Sequence, residues 1–520
     1  MGELWHGGKI YTMEEEGRVV EAVYVENGKI IATGRKEELE MRYQPNQFFN
    51  LEGKTMLPGL VDSHMHLIGH GERLIHLDLS TCTSYQEVLD LVAERVKTTK
   101  QGEWIYGEGW NENNFTDRKD VHKRDLDALS IHHPIVLKRV CRHVTLVNSY
   151  ILEKAEIMQN KEDPKGGKIG RDQHGELTGL LYEQAQDLVV PLLPEIDTAY
   201  LTKALQTAIQ DCWQYGLVGG HTEDLNYYGG FQKTYNAFTE VIRNLPFKAH
   251  LLVHHEVAHE RERYENTHYI EFGAMKIFSD GSLGGRTALL SEPYEDAKET
   301  NGVAIFSRTE LAELVKQARG FHMPVAIHTI GDLSLEYVID ALEMHPPEER
   351  QRDRIIHCQL AREELIQRMK KLPAILDIQP VFVSSDFPSV IEKLGKRRLR
   401  YAYAWKTLLS AGLHCAGGSD APIEHVNPLL GIYSAVTRNS FIDGNCYMPE
   451  ERLTVFEAVS LFITGSAYAI GKEESRGKIT AGYEADFTVL DRDIFNVQEE
   501  EIKGIKVMMT VVDGGVVYKK

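Results

Sequence analysis

A chain of 520 residues is too long for one ordinary domain and suits one large α/β domain with a smaller companion. Its net charge of -19 argues against nucleic acid as a partner, because the phosphates would be repelled. The six cysteines are scattered without a C-x-x-C pair, and the first residues lack the basic and apolar regions of a signal peptide. With no run of about 18 apolar residues either, we expect a cytoplasmic protein without a membrane span.

Short β-strands are predicted at both ends of the chain. Near the N-terminus they are residues 8–11, 22–25 and 29–32, and Asn27-Gly28 between the last two is a hairpin turn signal. The C-terminal strands are 486–490, 507–512 and 516–518. Neither end has enough apolar surface to fold alone, so we expect one small composite β-sandwich from residues 1–56 and 475–520.

Eight apolar segments between these ends read as strands, and a helical pattern follows them. They are residues 57–66, 215–222, 249–254, 274–278, 324–328, 354–357, 374–378 and 414–420. Eight strands alternating with helices predict an α/β fold of the (β/α)₈ type, a distorted TIM barrel over residues 57–474. The alternative is an open doubly wound sheet, which we rank lower because no glycine-rich dinucleotide turn appears.

The gap at about 68–212 is too long for one barrel connection. It carries its own predicted helices, 85–97 and 200–215, and strands, 104–108 and 135–140. We expect an α+β insertion over the mouth of the barrel, where the loops after the strands lie.

Polar residues recur at the C-terminal ends of the predicted barrel strands. His64 and His66 are two apart, so on a strand both imidazoles point to the same side and can bind one ion. The barrel would bring further groups to the same mouth: Lys276, His328, His357 and Asp420. Imidazole and carboxylate ligands suit Zn²⁺. A lysine fits such a site only if CO₂ has carboxylated its amine.

These motifs resemble the amidohydrolase superfamily. The resemblance rests on Pro58-Gly-Leu-Val-Asp-Ser-His-Met-His66, Ile327-His-Thr-Ile-Gly-Asp332, Ile355-Ile-His-Cys-Gln359 and Gly418-Ser-Asp-Ala-Pro422. The stretch from Lys276 to Ala288 is similar to the family 3 branch, which includes N-substituted formamide deformylases and YtcJ-like proteins.

The resemblance implies a role for each of these positions. His64 and His66 would hold one metal, N6-carboxylated Lys276 would bridge or ligate, and His328 would hold a second metal. His357 would be a ligand or orient the substrate carbonyl. Asp420 would ligate and act as general base, then protonate the leaving nitrogen. One or two divalent ions, Zn²⁺ first, are therefore the expected cofactors.

Four further positions are predicted to bind the substrate. Trp110 lies in a Gly-x-Gly-Trp segment, Glu183 in 179–183, and Arg286 in the family 3 stretch. His143 lies in a His-x-x-x-x-Asn-Ser segment in which Cys141-Arg142 departs from the usual Asp-Gly. The alternatives are that Trp110 packs the insertion, Glu183 is solvated and Arg286 fixes its own loop.

The sequence predicts a hydrolase that cleaves a non-peptide C–N bond of a small molecule, such as an N-acyl, formamide or cyclic amide bond. A mononuclear deaminase and a catalytically silent metal-binding regulatory protein are the alternatives. A homo-oligomer stays open. Residues 255–259 match the zinc protease motif H-E-x-x-H, but they follow a strand directly and charged residues come next, so we interpret them as a surface helix start.

Overall fold

The computed structural model describes residues 2–110, 115–116, 122–139, 144–159, 161–164, 167–193 and 196–520. They form two compact units. The first contains the chain up to residue 69 and from residue 201 onward, and the second contains residues 70–200. The domain boundaries proposed from the sequence stay predictions, and each unit is described by itself.

The first unit contains eight parallel strands, each paired with the next along the chain. These strands are β1 (Leu60–Met65), β2 (Leu217–Thr222), β3 (Lys248–His254), β4 (Ile270–Phe278), β5 (Val325–Thr329), β6 (Asp353–His357), β7 (Ala374–Ile378) and β8 (His414–Gly417). All eight predicted strands are present. The prediction of a distorted TIM barrel is confirmed.

The carboxylate of Asp62 closes the barrel between its first and last strands. Among the described residues, no strand ladder pairs β8 with β1. Asp62 instead accepts hydrogen bonds from the backbone N–H of His64 at 3.0 Å and from the N–H of Ser419 at 3.1 Å. The hydroxyl of Ser419 also donates to it. The Asp420 N–H donates to the His64 carbonyl at 2.8 Å, so the two strand ends are fixed against each other.

Helices connect the barrel strands and cover them. One of them, Arg308–Gly320, begins at a capping box in which the Ser307 side chain accepts from the Glu310 N–H. The α-helices that lie outside the second unit, or extend out of it, are Lys36–Tyr43, Leu67–Ile75, Thr198–Gln214, Phe231–Ile242, Arg308–Gly320, Asp332–Met344, Glu363–Met369, Phe382–Asp386, Ser389–Leu394, Trp405–Ser410, Pro428–Thr437, Val455–Ser460 and Ser466–Ala469. Among the described helices, none combines the length and the apolar character that a membrane crossing requires.

The H-E-x-x-H segment forms a 3₁₀-helix, His255–Arg263, directly after β3. A 3₁₀-helix has three residues per turn, so residues four apart do not share a face. His255 and His259 are therefore not presented as a zinc protease pair.

The two chain ends fold together in one eight-stranded sheet. Thr55–Pro58 pairs antiparallel with Phe487–Leu490, which joins the N-terminal strands to the C-terminal ones. Trp5, Phe487 and Val511 share a single buried cluster, so the apolar face of each end is covered by the other. The strands are Gly2–Tyr11, Val19–Glu26, Lys29–Gly34, Gln47–Asn50, Thr55–Pro58, Phe487–Leu490, Val507–Val512 and Gly515–Lys519.

A buried lysine ties this sheet to the barrel. Lys248, the first residue of β3, is 6% exposed. Its ammonium contacts the carboxylates of Glu484, Asp486 at 2.5 Å and Asp513 at 2.9 Å. These three carboxylates raise the pKa of Lys248, outweighing the opposite effect of burial. The lysine charge is therefore held by two segments of the C-terminal region, residues 484–486 and Asp513.

The second unit is built on a six-stranded sheet with its own apolar cores. Its α-helices are Tyr85–Thr98, Lys123–Leu129 and Ser149–Lys154. The strands, in sheet order, are Gly167–Arg171, Leu177–Glu183, Val144–Val147, Ile135–Arg139, Ile105–Trp110 and Leu77–Asp78. The predicted helix at 85–97 and the strand at 104–108 are present, whereas Val144–Val147, Gly167–Arg171 and Leu177–Glu183 were not predicted.

We expect Lys248→Met to lower the free energy of unfolding by about 3–5 kcal/mol, because it leaves the buried carboxylate of Asp486 without its cation. Glu484 and Asp513 keep their contacts with Arg476 and His268. Urea unfolding followed by circular dichroism measures the change. The control is Lys298→Met, which removes an exposed lysine that contacts Glu295 at 2.9 Å and should change stability by less than about 1 kcal/mol. Equal effects of the two substitutions would show that the buried cluster contributes no more than a surface pair.

Candidate metal centre

All six predicted metal-site residues lie in the first unit, at or just after the C-terminal ends of barrel strands. His64 belongs to β1 and His66 follows it, Lys276 lies on β4, His328 on β5 and His357 at the end of β6. Asp420 follows β8. The parallel barrel thus places side chains that are distant in sequence at one end of the fold.

His64, His66 and Asp420 form the tightest group. Asp420 Oδ1 lies 3.4 Å from His64 Nε2 and 3.5 Å from His66 Nε2, and one ligand atom of each residue lies within 4.8 Å of the others. Donor atoms around a tetrahedral zinc ion with bonds of about 2.05 Å are about 3.3 Å apart. The spacing and the donor types therefore fit a divalent metal ion.

The hydrogen bond of His66 fixes which of its nitrogens is free. His66 Nδ1 lies 2.8 Å from the backbone carbonyl of Glu223. A carbonyl only accepts, so Nδ1 carries a proton, and Nε2, which faces Asp420, is the nitrogen left to bind a cation. Burial lowers the pKa of His66, but the carboxylates of Asp420 and Glu223 outweigh burial and raise it to about 9. This nitrogen therefore favours a cation, either a proton or a metal ion.

The tautomer of His357 is also fixed by hydrogen bonding, here through two successive hydrogen bonds. His357 Nδ1 lies 2.6 Å from Gln379 Oε1, and Gln379 Nε2 donates to the carbonyl of Asp377 at 3.0 Å. The second bond orients the amide so that its oxygen accepts from Nδ1. His357 Nε2 is then a lone pair. Burial lowers the pKa of His357 to about 4, so the ring is neutral at pH 7.

His328 lies next to His357, with ring centroids 4.4 Å apart. Its Nε2 lies 3.1 Å from the carbonyl of Gly281. Nε2 therefore donates, and only Nδ1 is available as a ligand. The ring centroids of His64 and His357 are 5.6 Å apart. The His357 ring therefore neighbours both the His64 ring and the His328 ring.

Lys276 is completely buried beside His64. Its Nζ lies 3.2 Å from His64 Nε2 and 4.6 Å from the centre of the Phe278 ring. Burial lowers the pKa of Lys276 to about 8 even though the Glu223 and Asp420 carboxylates act in the opposite direction. A lower pKa enlarges the fraction of neutral amine at pH 7, and the neutral amine is the form that reacts with CO₂.

Asp420 is ionised and held in an uncommon backbone conformation. Burial raises its pKa, but the neighbouring His66 and His357 outweigh burial and the pKa lies below the ordinary value. Its φ is 58°, and that of His357 is 71°. Non-glycine residues seldom adopt positive φ, and such residues are frequent at functional sites.

The four predicted substrate-binding residues remain predictions. The guanidinium of Arg286 forms two bonds to Asp296, at 3.1 and 2.7 Å, so a substrate carboxylate would have to compete with this ion pair. Trp110 is 2% exposed and packs in a core of the second unit. Glu183 ends a strand of that unit. His143 lies outside the described residues.

Three residues that support the site had no role predicted from the sequence. Asp62 fixes the backbone of His64, Gln379 fixes the tautomer of His357, and Tyr227 donates to the Glu223 carboxylate at 2.7 Å. The spacing of two between Asp62 and His64 was a signal for the first of them. Gln379 acts on a histidine of the neighbouring strand, 22 residues away, so no local pattern marks it. Tyr227 lies only four residues after Glu223, in the same segment after β2.

Comparison with known proteins identifies the family. The profile of the Amidohydrolase family matches residues 47–518. The chain belongs to the amidohydrolase family. It is accordingly a metal-dependent hydrolase of the class that acts on carbon–nitrogen bonds other than peptide bonds, as predicted from the strand-end motifs.

Three similar proteins extend this result. YtcJ of Bacillus subtilis, a candidate amidohydrolase, is 50% identical over 528 residues that cover 100% of both chains. The N-substituted formamide deformylase of Arthrobacter pascens is 25% identical and covers 98% of this chain and 97% of its own. The crystal structure of an uncharacterised metal-dependent hydrolase from Pyrococcus horikoshii has a TM-score of 0.79 and 27% identity, covering 96% of this chain and 99% of its own.

We expect Gln379→Leu to weaken metal binding by about 10–100-fold, because it removes the acceptor that holds His357 Nδ1–H. Competition with a coloured zinc chelator measures the affinity. The control is Gln159→Leu, whose exposed side chain bonds to Glu176 in the second unit. Wild-type affinity in Gln379→Leu would show that the orientation of His357 does not matter for the metal.

Proposed function

We propose that the protein hydrolyses a non-peptide amide bond of a small molecule, of the N-acyl, formamide or cyclic amide type, with zinc at the strand-end site. The group formed by His64, His66 and Asp420 carries this proposal, since its donor atoms are spaced as zinc ligands are. The resemblance to an N-substituted formamide deformylase along nearly the full chain supports the substrate class. The scattered cysteines, with none of the described ones in a disulfide, support a cytoplasmic location.

Asp420 is the proposed base. Bound zinc supplies Lewis-acid chemistry, which makes water more acidic and the carbonyl carbon more electrophilic. The ionised Asp420 carboxylate takes a proton from the attacking water as oxygen bonds to the carbonyl carbon. The same group then delivers that proton to the nitrogen as the C–N bond breaks. Amide and water become a carboxylic acid and an amine, and Asp420 returns to its ionised form.

His357 acts as a metal ligand in this proposal. The resemblance left open whether it ligates or orients the substrate carbonyl. Because Gln379 holds the proton on Nδ1, neutral His357 has a lone pair at Nε2 and no proton there to donate to a carbonyl. His328, which has Nδ1 free, lies beside it and is the proposed ligand of a second ion.

Lys276 distinguishes this proposal from a mononuclear deaminase. A carboxylated Lys276 would carry an anionic oxygen pair beside His64 and could supply ligands to two metal ions. An unmodified lysine would leave a cation 3.2 Å from His64 Nε2, which suits one ion at most.

Asp420→Asn is expected to lower kcat for a cleaved amide by at least about 100-fold, because the amide oxygen is a poor proton acceptor. The assay uses N-acyl, formamide and cyclic amide substrates with zinc in excess, and the metal content of each preparation is measured. Asp443→Asn, in an exposed loop where Asp443 bonds to Tyr447, is the control. Unchanged kcat in Asp420→Asn would reject Asp420 as the base. Metal binding without turnover of any substrate would favour a silent metal-binding protein.

Protein grown with ¹³C-bicarbonate and zinc is expected to show a carbamate ¹³C signal and about two zinc ions per chain. Lys276→Ala should lose the signal and at least one ion, because the carbamate oxygens are gone. Lys298→Ala, an exposed control, should keep both. One ion per chain and no carbamate signal in the wild type would favour the deaminase-like mononuclear site.

A further inference from the structure

A cavity lies at the end of the barrel opposite the metal centre, where the strands begin. It has a volume of about 500 Å³ and is lined by the early residues of β3 and β6 and by the segment that precedes β5. None of the six predicted metal-site residues is among its lining residues. Its ionisable lining residues are four arginines, two histidines and one carboxylate, so positive side chains outnumber negative ones: Arg261, Arg350, Arg352, Arg354, His250, His322 and Glu262.

The sign of this charge is opposite to that of the protein as a whole, which carries a net charge of -19. Arg352 is paired with Glu473. Arg261 donates to the neutral carbonyl of Tyr264 at 2.6 Å, so its charge is not compensated there. Arg350 is exposed and forms no ion pair with a described carboxylate within 4.0 Å. Arg354 is paired with Asp377, so the charges left for a ligand are those of Arg261 and Arg350 against that of Glu262. This positive balance attracts anions.

Arg354 contributes a buried donor with no partner. It is 2% exposed. Its Nε donates to Asp377 at 2.7 Å and its Nη2 donates to the carbonyl of Ser63 at 2.6 Å. Its Nη1 has no hydrogen-bond partner among the described residues. Buried guanidinium donors are normally satisfied, so an unpartnered one indicates a missing acceptor.

His250 provides a second such group in the same cavity wall. It is 9% exposed, and its Nδ1 has no partner among the described residues. The imidazole is accommodated by a glycine: a Cβ on Gly273 would lie 2.1 Å from His250 Nε2. Gly273 also lines the cavity and has no positive φ, so close approach and not backbone conformation explains the glycine.

We propose that this cavity is a binding site for a small oxyanion, held by Arg354 and His250 and approached past Arg350. A phosphate or a carboxylate has several acceptor oxygens in the geometry that a guanidinium fork recognises. The low pKa of His250, caused first by burial and then by Arg354, Arg476 and Lys472, supports an electropositive surrounding. The site is separate from the amide-hydrolysing centre and does not depend on the function proposed for it.

Isothermal titration calorimetry of the zinc-loaded protein with inorganic phosphate tests the proposal, with acetate as the carboxylate probe and chloride as the reference. Saturable binding of either oxyanion is expected. Arg354→Lys, which keeps the charge but removes the fork, should weaken it at least about tenfold, and Arg350→Gln at least about threefold. Arg308→Gln, an exposed arginine paired with Glu336 and Asp340 outside the cavity, should bind as the wild type does.

Two further results keep the test decisive. Arg350→Gln is a surface substitution, so it reports on the site even if Arg354→Lys does not fold. His66→Ala removes a predicted zinc ligand and should leave oxyanion binding unchanged. The proposal is overturned if neither phosphate nor acetate binds saturably, if Arg350→Gln binds as tightly as the wild type, or if His66→Ala abolishes binding, which would place the anion on the metal ion.

Discussion

Closure of the barrel at Asp62 is the constraint on which the metal centre depends. The trio of His64, His66 and Asp420 draws on both the first and the last strand, which no ladder joins among the described residues. A single carboxylate that accepts from the backbone of both His64 and Ser419 holds these two ends in register. Burial raises the pKa of Asp62 to about 7 although these donors oppose it. Such a buried carboxylate persists only where its hydrogen bonds are satisfied, so the same bonds stabilise the barrel and position the ligands.

Three of the four histidines of the site share a second constraint, which is a tautomer set by a hydrogen bond. Backbone carbonyls of Glu223 and Gly281 take the proton of His66 and His328, and the amide of Gln379 takes that of His357. A histidine held in this way presents one lone pair in a fixed direction and loses little freedom when it binds an ion. The acceptors come from the segments that follow neighbouring strands. Each of these histidines is therefore oriented by a residue that follows the neighbouring strand.

This distribution explains what the sequence could and could not predict. The barrel strands were predictable because each is an apolar run that ends in a polar residue, and Lys276 stood out as a base inside such a run. The role of Gln379 was not predictable, since it lies 22 residues from the histidine that it orients. The pairing of Arg286 with Asp296 depends on a loop in which Arg286 has a φ of 56°, a conformation that no composition rule specifies. The sheet of the second unit includes short strands such as Gly167–Arg171, which have little hydrophobic alternation to detect.

The barrel interior contains a buried ion pair that positions the backbone below the metal ligands and adds little to the stability of the fold. Barrels of this type are usually filled by layers of branched apolar side chains. Here Leu252 and Ile356 belong to one small apolar cluster, and Arg354 and Asp377 form a buried ion pair at 2.7 Å. Such a pair adds little net stability, because both charges lose their hydration. The guanidinium also binds the carbonyl of Ser63, the residue before His64. One buried cation therefore braces the backbone under the metal ligands, and an aliphatic residue, although cheaper to bury, could not donate these two hydrogen bonds.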